Sequence, residues 1–236
     1  MSDDPRSWLD LAHVDDAVFE LRPDYRALLV LADGLRPGPS DDVSEKLLAH
    51  AEQQARELLD GGAPEELPHV AAWRDAFRAF GAKPQRTRTS VEALLRRLDT
   101  GLPRVDRLTD AYNAVSVSRA TPLGGEDADR YRGPLRLVRA TGEEEFETTR
   151  SGEPAVEHPS PGEVVWRDDA GVTCRRWNWR QCLRTRLTES TTRAIFIIDM
   201  LAPMTGADAA ATGDALIDAL RATSPDLRAD VRLLAK

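Results

Sequence analysis

Histidine and cysteine are scarce in this 236-residue chain, which has four of the first and two of the second. His13, His50, His69 and His158 are scattered, and Cys174 and Cys182 form no C-x-x-C pair and have no histidine close by. No metal site is expected on that ligand count, no cofactor is indicated, and a histidine-based triad has little to build on. The two thiols read as buried or idle rather than as a disulfide. Long apolar runs are missing as well. None approaches the roughly 20 residues that span a bilayer, and the opening MSDDPRSWLD carries early acids without the apolar core of a secretory signal. The expected location is cytoplasmic, with no membrane partner. Repeats and biased tracts are absent. A basic excess is lacking too, since 32 Lys and Arg stand against 40 Asp and Glu for a net charge of −8. That argues against a general nucleic-acid binder, because neutralising phosphates needs clustered Lys and Arg. The charge is unevenly spread, however. Residues 83–107 and 167–193 are arginine-rich, while acids gather in 40–66, 143–163 and the C-terminal segment. A basic groove on an acidic protein and a set of solvated or self-paired arginines are both open.

What is present is an ordinary globular composition, 41% apolar and 31% charged, at a length that fits one large domain or two small ones. Residues 14–20 and 27–31 read as two strands around Arg22-Pro23-Asp24. From Ser40-Asp41 a helix runs to Asp60, with Val43, Leu47, Leu48, Ala51, Ala55, Leu58 and Leu59 on one face and Gly61-Gly62 as its stop. Residues 67–80 form a second helix whose Trp73, Phe77 and Phe80 share one face and read as core rather than as a base-stacking platform. After the basic connection 83–88, Ser90 caps a third helix through Leu98, with Arg96-Arg97 away from its apolar side. Strands are expected at 130–140, from 146 onward as its partner, at 162–166 and 172–175 across the Asp168–Gly171 turn, and at 194–200. Residues 151–161, broken by Pro154, Pro159 and Pro161, read as the least structured part. A helix at 207–222 and a short strand or tail at 230–234 complete the pattern, which is mixed α and β.

Two stretches carry chemistry. In residues 104–129, Leu108, Ala111, Tyr112 and Val115 have helical spacing, Val115 and Val117 alternate with serines as a strand would, and Pro122-Leu123-Gly124-Gly125 reads as a sharp turn open to backbone approach by a ligand. Asn113, near the changeover, has an amide that donates and accepts hydrogen bonds. In residues 175–181, Arg175-Arg176-Trp177-Asn178-Trp179-Arg180-Gln181 puts two indoles beside three guanidiniums. That composition suits stacking on a base with contact to phosphate, and it equally suits a strand with one buried and one exposed face.

The order Pro103, Val105-Asp106, Asp110, Asn113, Pro122-Leu123 and Asp127, together with Trp73-Arg74, Phe80-Gly81, Ser90, Ala93-Leu94, Arg97, Gly142-Glu143, Gly162-Glu163 and residues 174–181, resembles the editing domain of the bacterial phenylalanyl-tRNA synthetase β subunit, formed by its paired third and fourth structural domains. The likeness is greatest to free-standing relatives of that domain and runs from about residue 14 to about residue 200. It implies an α+β fold, a layered β-sandwich with flanking helices, with residues 1–236 as a single editing-type domain. It implies, as partner, an aminoacyl-tRNA engaged at its 3′ end. Phenylalanine-tRNA ligase activity itself is not implied.

The resemblance also assigns candidate roles. Hydrolysis of an aminoacyl ester needs a positioned water and a polarised carbonyl more than a strong nucleophile. Asn113 would orient water or the α-amino group, and backbone amides at Gly124 and Gly125 would form the oxyanion site. Thr121, Pro122, Glu163, Arg175, Trp177, Asn178 and Trp179 would contact the substrate, Glu163 through an amine or a hydroxyl. Arg86, Arg88, Arg176 and Arg180 would contact tRNA phosphates. The synthetase pocket holds an Asn and a His, the latter in a Pro-Leu-His-Ala-Phe-Asp pattern, and here Gly124 stands in the place of that His. The leading expectation is a hydrolase, an aminoacyl-tRNA deacylase acting in trans as translation quality control. The alternatives are a non-catalytic module for tRNA or an amino acid on the same fold, and an unrelated small-molecule enzyme or structural protein.

Overall fold

In the computed structural model, residues 5–236 are described; residues 1–4, where the stretch read for a secretory signal begins, lie outside them. The helices are α1 (Pro5–Asp10), α2 (Asp16–Leu21), α3 (Asp42–Leu59), α4 (Pro68–Ala79), α5 (Ser90–Leu95), α6 (Arg107–Ser118) and α7 (Gly206–Arg221). The strands are β1 (His13–Val14), β2 (Arg26–Asp33), β3 (Leu123–Asp127), β4 (Arg136–Arg139), β5 (Phe146–Arg150), β6 (Glu153–Glu157), β7 (Val164–Arg167), β8 (Val172–Arg175), β9 (Arg180–Gln181), β10 (Arg193–Met200) and β11 (Arg228–Ala235). Among these, no helix is long and apolar enough to cross a membrane.

β2 and β10 are apolar at nearly every position, the pattern of strands covered on both faces. They form the middle of an antiparallel sheet of order β11-β2-β10-β3. One face, with Leu29, Leu31, Ile195 and Ile197, packs against Leu137, Trp166 and Cys174 of a five-stranded sheet, β1-β4-β7-β8-β9. The other face, with Val30, Phe196 and Ile198, packs on Leu108, Ala111 and Val115 of α6 and Leu216 and Leu220 of α7. α3 and α5 then cover the far side of α6 through Leu48, Ala51, Val91, Leu95, Ala114 and Val117. The result is a layered α+β architecture in which two sheets face each other and helices flank one of them.

Four local expectations are corrected. Residues 16–21 are helical, because Val14, Val18 and Leu21 also fit spacings of four and three, and Val18 and Phe19 join the core. Residues 115–118 remain in α6. That helix is packed on both sides, Val115 toward the sheet and Val117 toward α3 and α5, so its apolar positions do not keep to one stripe. Gly124 and Gly125 do not turn the chain but lie in β3, opposite Ile197 and Phe196. Their small size serves close packing instead: a Cβ on Gly125 would come within 2.6 Å of the Phe196 ring. β5 pairs with β6 rather than with β4, and β6 contains Pro154, which a two-stranded ribbon with open edges tolerates. A smaller shift of one residue makes Thr89, not Ser90, the N-cap of α5, its hydroxyl accepting from the Glu92 N–H.

Candidate ligand-binding site

Residues 176–179 make the tight turn that joins β8 to β9. β8 ends at Arg175, and Arg176 and Trp177 follow in left-handed backbone conformations, φ 47° and 67°, which non-glycine residues hold only when their surroundings over-determine them. Three contacts supply that constraint. The Trp177 N–H donates to the Val164 carbonyl at 2.7 Å, the Ser90 N–H donates to the Asn178 carbonyl at 3.0 Å, and Glu163 accepts from the Arg176 N–H at 3.2 Å. The reversal drives Trp177 fully into the core, edge-on to Trp73 and Tyr25, and turns Asn178 inward beside it.

The inward side of this turn forms one wall of a cavity of about 370 Å³, within the size range of small-molecule sites. α5 contributes Ala93 and Leu94, with Arg97 just beyond its end; α6 contributes Tyr112 and Asn113; β3 contributes Gly124 and Glu126; β7, β8 and β10 contribute Trp166, Cys174, Ile197 and Asp199. Asn113 and Asn178, 65 residues apart in sequence, therefore border one space. A second cavity of about 510 Å³ lies beside it, with Gly125 and Arg186 in its wall. Tyr112 and Gln181 border both, and the Gln181 amide donates to the Gly125 carbonyl at 3.0 Å between them.

The floor is acidic. Asp199 is 3% exposed and accepts a hydrogen bond from the Tyr25 hydroxyl at 2.5 Å. Burial pushes its pKa up to about 7, against the lowering effect of Tyr25 and of the nearby Asn178 and Trp166 groups. Those two neighbours stop short of hydrogen bonds: the Trp166 indole N–H and both atoms of the Asn178 amide are buried without a partner. Glu126, 1% exposed, accepts from Tyr131 and Thr185 hydroxyls at 2.7 Å each, and burial raises its pKa too. The Cys174 thiol is pushed well up by burial and so stays protonated. At the rim, Arg97 and Arg180 lack a carboxylate partner among the described residues; Arg180 reaches the Thr149 carbonyl at 3.4 Å and lies 6.0 Å from the centre of the Trp179 ring.

Of the residues proposed from sequence, Asn113, Gly124, Trp177, Asn178, Trp179 and Arg180 line the first cavity. Gly125 faces the second. As members of an extended strand, the two glycines direct successive N–H groups to opposite sides, so they do not converge on one oxyanion as a turn would. Thr121 is buried, with its hydroxyl donating to the Arg119 carbonyl at 3.1 Å, and the Pro122 carbonyl accepts from the Asp199 N–H at 3.0 Å; neither lines the cavity. Glu163 and Arg175 form a buried two-pronged ion pair, 2.9 Å at each contact, that braces the turn from behind, and neither lines the cavity. Arg176 is held by Thr87 and stacks 4.4 Å from the Trp179 ring. Arg86 and Arg88 are exposed outside the cavity, Arg88 lying 3.8 Å from Glu92.

Sequence reasoning missed Asp199, Glu126, Trp166 and the rim position of Arg97. For Asp199 a signal was available, a lone acid in the otherwise apolar run Ala194–Met200. Among the described residues no cluster of three or more His, Cys, Asp or Glu side chains is placed to hold a metal ion.

A protein-family model described as "B3/4 domain" matches residues 72–221, a span that contains every cavity-lining residue named above. Similar solved structures include an N-terminal fragment of the phenylalanyl-tRNA synthetase β subunit from Pyrococcus horikoshii, at 12% identity and a TM-score of 0.47. That alignment covers 94% of this chain and 50% of the fragment, so the chain spans half the fragment's length. No curated protein matches the chain.

Proposed function

The chain belongs to the B3/4 domain family, and on that footing we propose that it acts in trans on aminoacyl-tRNA, taking the aminoacyl group into the first cavity and hydrolysing the ester. The observation that carries this reading is the composition of that one cavity: two inward amides, Asn113 and Asn178, beneath a rim bearing the unpaired arginines Arg97 and Arg180. The amides suit an ester and its amino acid, while guanidiniums at the mouth suit phosphates of the acceptor end. Water adds to the ester carbon, the acyl C–O bond breaks, and the products are the free amino acid and the tRNA 3′ hydroxyl. No protein nucleophile is required. Asn113, whose side chain makes no hydrogen bond among the described residues, is free to orient the water or to donate to the carbonyl oxygen as charge develops there.

A second reading, a module that binds an aminoacyl-tRNA end or an amino acid without chemistry, has its own support. The cavity-lining thiol, Cys174, is held protonated by burial, and Gly124 occupies the position where the resembling editing domain has His. One assay separates the two. The protein is incubated with a panel of mischarged tRNAs carrying labelled amino acids, and release of label is followed against a no-protein control. Accelerated release from at least one member supports deacylation. Binding of charged tRNA without release from any member supports the module.

A further inference from the structure

Resting on that reading of the cavity, we infer that its floor is a subsite for a primary ammonium group, held between the Asp199 carboxylate and the side-chain carbonyl of Asn178. Buried polar side-chain atoms nearly always have a partner, yet Asn178, 7% exposed and lining the cavity, has none for either amide atom. Asp199 beside it has the single short contact to Tyr25, and no Lys, Arg or His lies within ion-pair distance of it among the described residues. Glu126 adds a second buried acid to the same wall. An anionic ligand group would be repelled here, and a lone hydroxyl would leave the acids uncompensated. An ammonium gives one N–H to Asp199 and another to the Asn178 oxygen, and the surrounding indoles of Trp166, Trp177 and Trp179 add a favourable lining for a cation.

The rim has the opposite sign. Arg97 and Arg180 at the mouth match an anionic outer end, so the complementary ligand is cationic inside and anionic outside. An amino acid esterified to a nucleic-acid end has that polarity, through its α-ammonium or through a basic side chain.

Proton linkage follows from the groups that face Asp199. Tyr25, ahead of β2, and Cys174, from β8, are pushed up by burial and stay neutral near pH 7; Glu126, from β3, is raised as well; His69, which accepts the Leu201 N–H just past β10, is pushed down and stays uncharged. Asp199 must lose its own proton to hold a cation. Affinity for an ammonium therefore rises from pH 6 to pH 8 by roughly tenfold, the gain in the ionised fraction of a group that titrates near 7.

The test titrates the intact protein calorimetrically with n-pentylamine, which like a Lys side chain stays charged over this range, and with the uncharged n-pentanol of similar length. The ammonium is expected to bind at least tenfold more tightly and to show the rise with pH. Asp199→Asn should lose both the preference and the rise, and Asn178→Ala should weaken the amine while keeping its pH response. Nα-acetyl-L-lysinamide set against L-norleucinamide then tells a side-chain ammonium from an α-ammonium. Equal binding of amine and alcohol, a flat pH response, or no binding of either compound to the wild-type protein overturns the subsite, and none of these outcomes depends on a variant or a tRNA. Ammonium selectivity in a protein that deacylates no tRNA would keep the subsite and remove the deacylase reading, whereas deacylation without ammonium selectivity would do the reverse.

Discussion

Glu163 and Asp199 are both almost wholly buried, yet they are treated in opposite ways. Glu163 meets the Arg175 guanidinium at two contacts and the Arg176 N–H at a third. Asp168 is met likewise by Arg184, and Glu92 by Arg74. Where no arginine is at hand, as at Asp110, two serine hydroxyls and the Val105 N–H do the same work. Asp199 has one phenol, and Glu126 has two hydroxyls and no backbone amide. Among the described residues these two are the carboxyl groups that burial pushes upward, while Asp24, Glu52 and Glu144 are held down by their partners. An uncompensated buried acid costs stability. Two of them in the wall of one cavity identify that wall as the part of the chain not optimised for the empty fold.

Four experiments bear on this contrast. The largest effect is expected from Glu163→Ala, which removes the two-pronged partner of buried Arg175 and leaves it only the Glu157 contact at 3.0 Å, and which should destabilise the protein by about 3 kcal/mol in urea unfolding. A loss below about 1 kcal/mol would show that the bracing pair is dispensable. Asn113→Ala is the counterpart inside the cavity. It should cost no more than about 1 kcal/mol in unfolding while slowing single-turnover deacylation by roughly 100-fold to 1,000-fold, the usual cost of losing one positioned donor. The reverse pattern, lost stability with intact rate, would make Asn113 a packing residue.

The third experiment reads the acid floor directly. Folded Asp199 titrates near pH 7 and an unfolded Asp near 4, so between those values the native state holds a proton that the unfolded chain releases. This group's contribution is therefore present at low pH and lost as pH rises through that window, at up to about 1.4 kcal/mol per unit. The stability of wild type minus that of Asp199→Asn should fall from about pH 4.5 to about pH 7.5 and then level. Taking the difference cancels the groups that do not sense Asp199, with Glu126 the neighbour whose repulsion it retains, and a flat difference would mean that Asp199 is ionised throughout. The smallest effect is at the rim: Arg97→Ala and Arg180→Ala should each flatten the dependence of log tRNA affinity on log salt by roughly 0.7, with folding unaffected. Arg176→Ala, by contrast, removes a guanidinium already committed to Thr87 and Trp179, and should unsettle the turn more than the salt slope.

Periodicity was enough for the long elements. α3, α4 and α7, and the buried strands β2 and β10, stand where their spacing and caps put them, because each presents a simple pattern to one or two neighbours. It failed where the layers crowd. The end of α6 lies between a sheet and two helices, and glycines needed for approach to Phe196 and Gln181 look in sequence like glycines needed for a turn. Part of the cavity was legible for a related reason. The amides and indoles of residues 113 and 177–179 are unusual in kind, so they drew notice without a structure. Glu163, Arg175, Asp199 and Glu126 are all charged residues in apolar surroundings, and only the fold separates the acids that face an arginine from those that face open space.

The placement of the tryptophans has a practical optical consequence. Trp8 and Trp73 bond their ring N–H groups to the Gly133 carbonyl and to His69, away from the cavity, whereas Trp166, Trp177 and Trp179 stand in its wall. Three of the chain's five indole fluorophores thus surround the space that a ligand would fill. Occupancy should register as a change in intrinsic emission, without any label attached to protein or ligand.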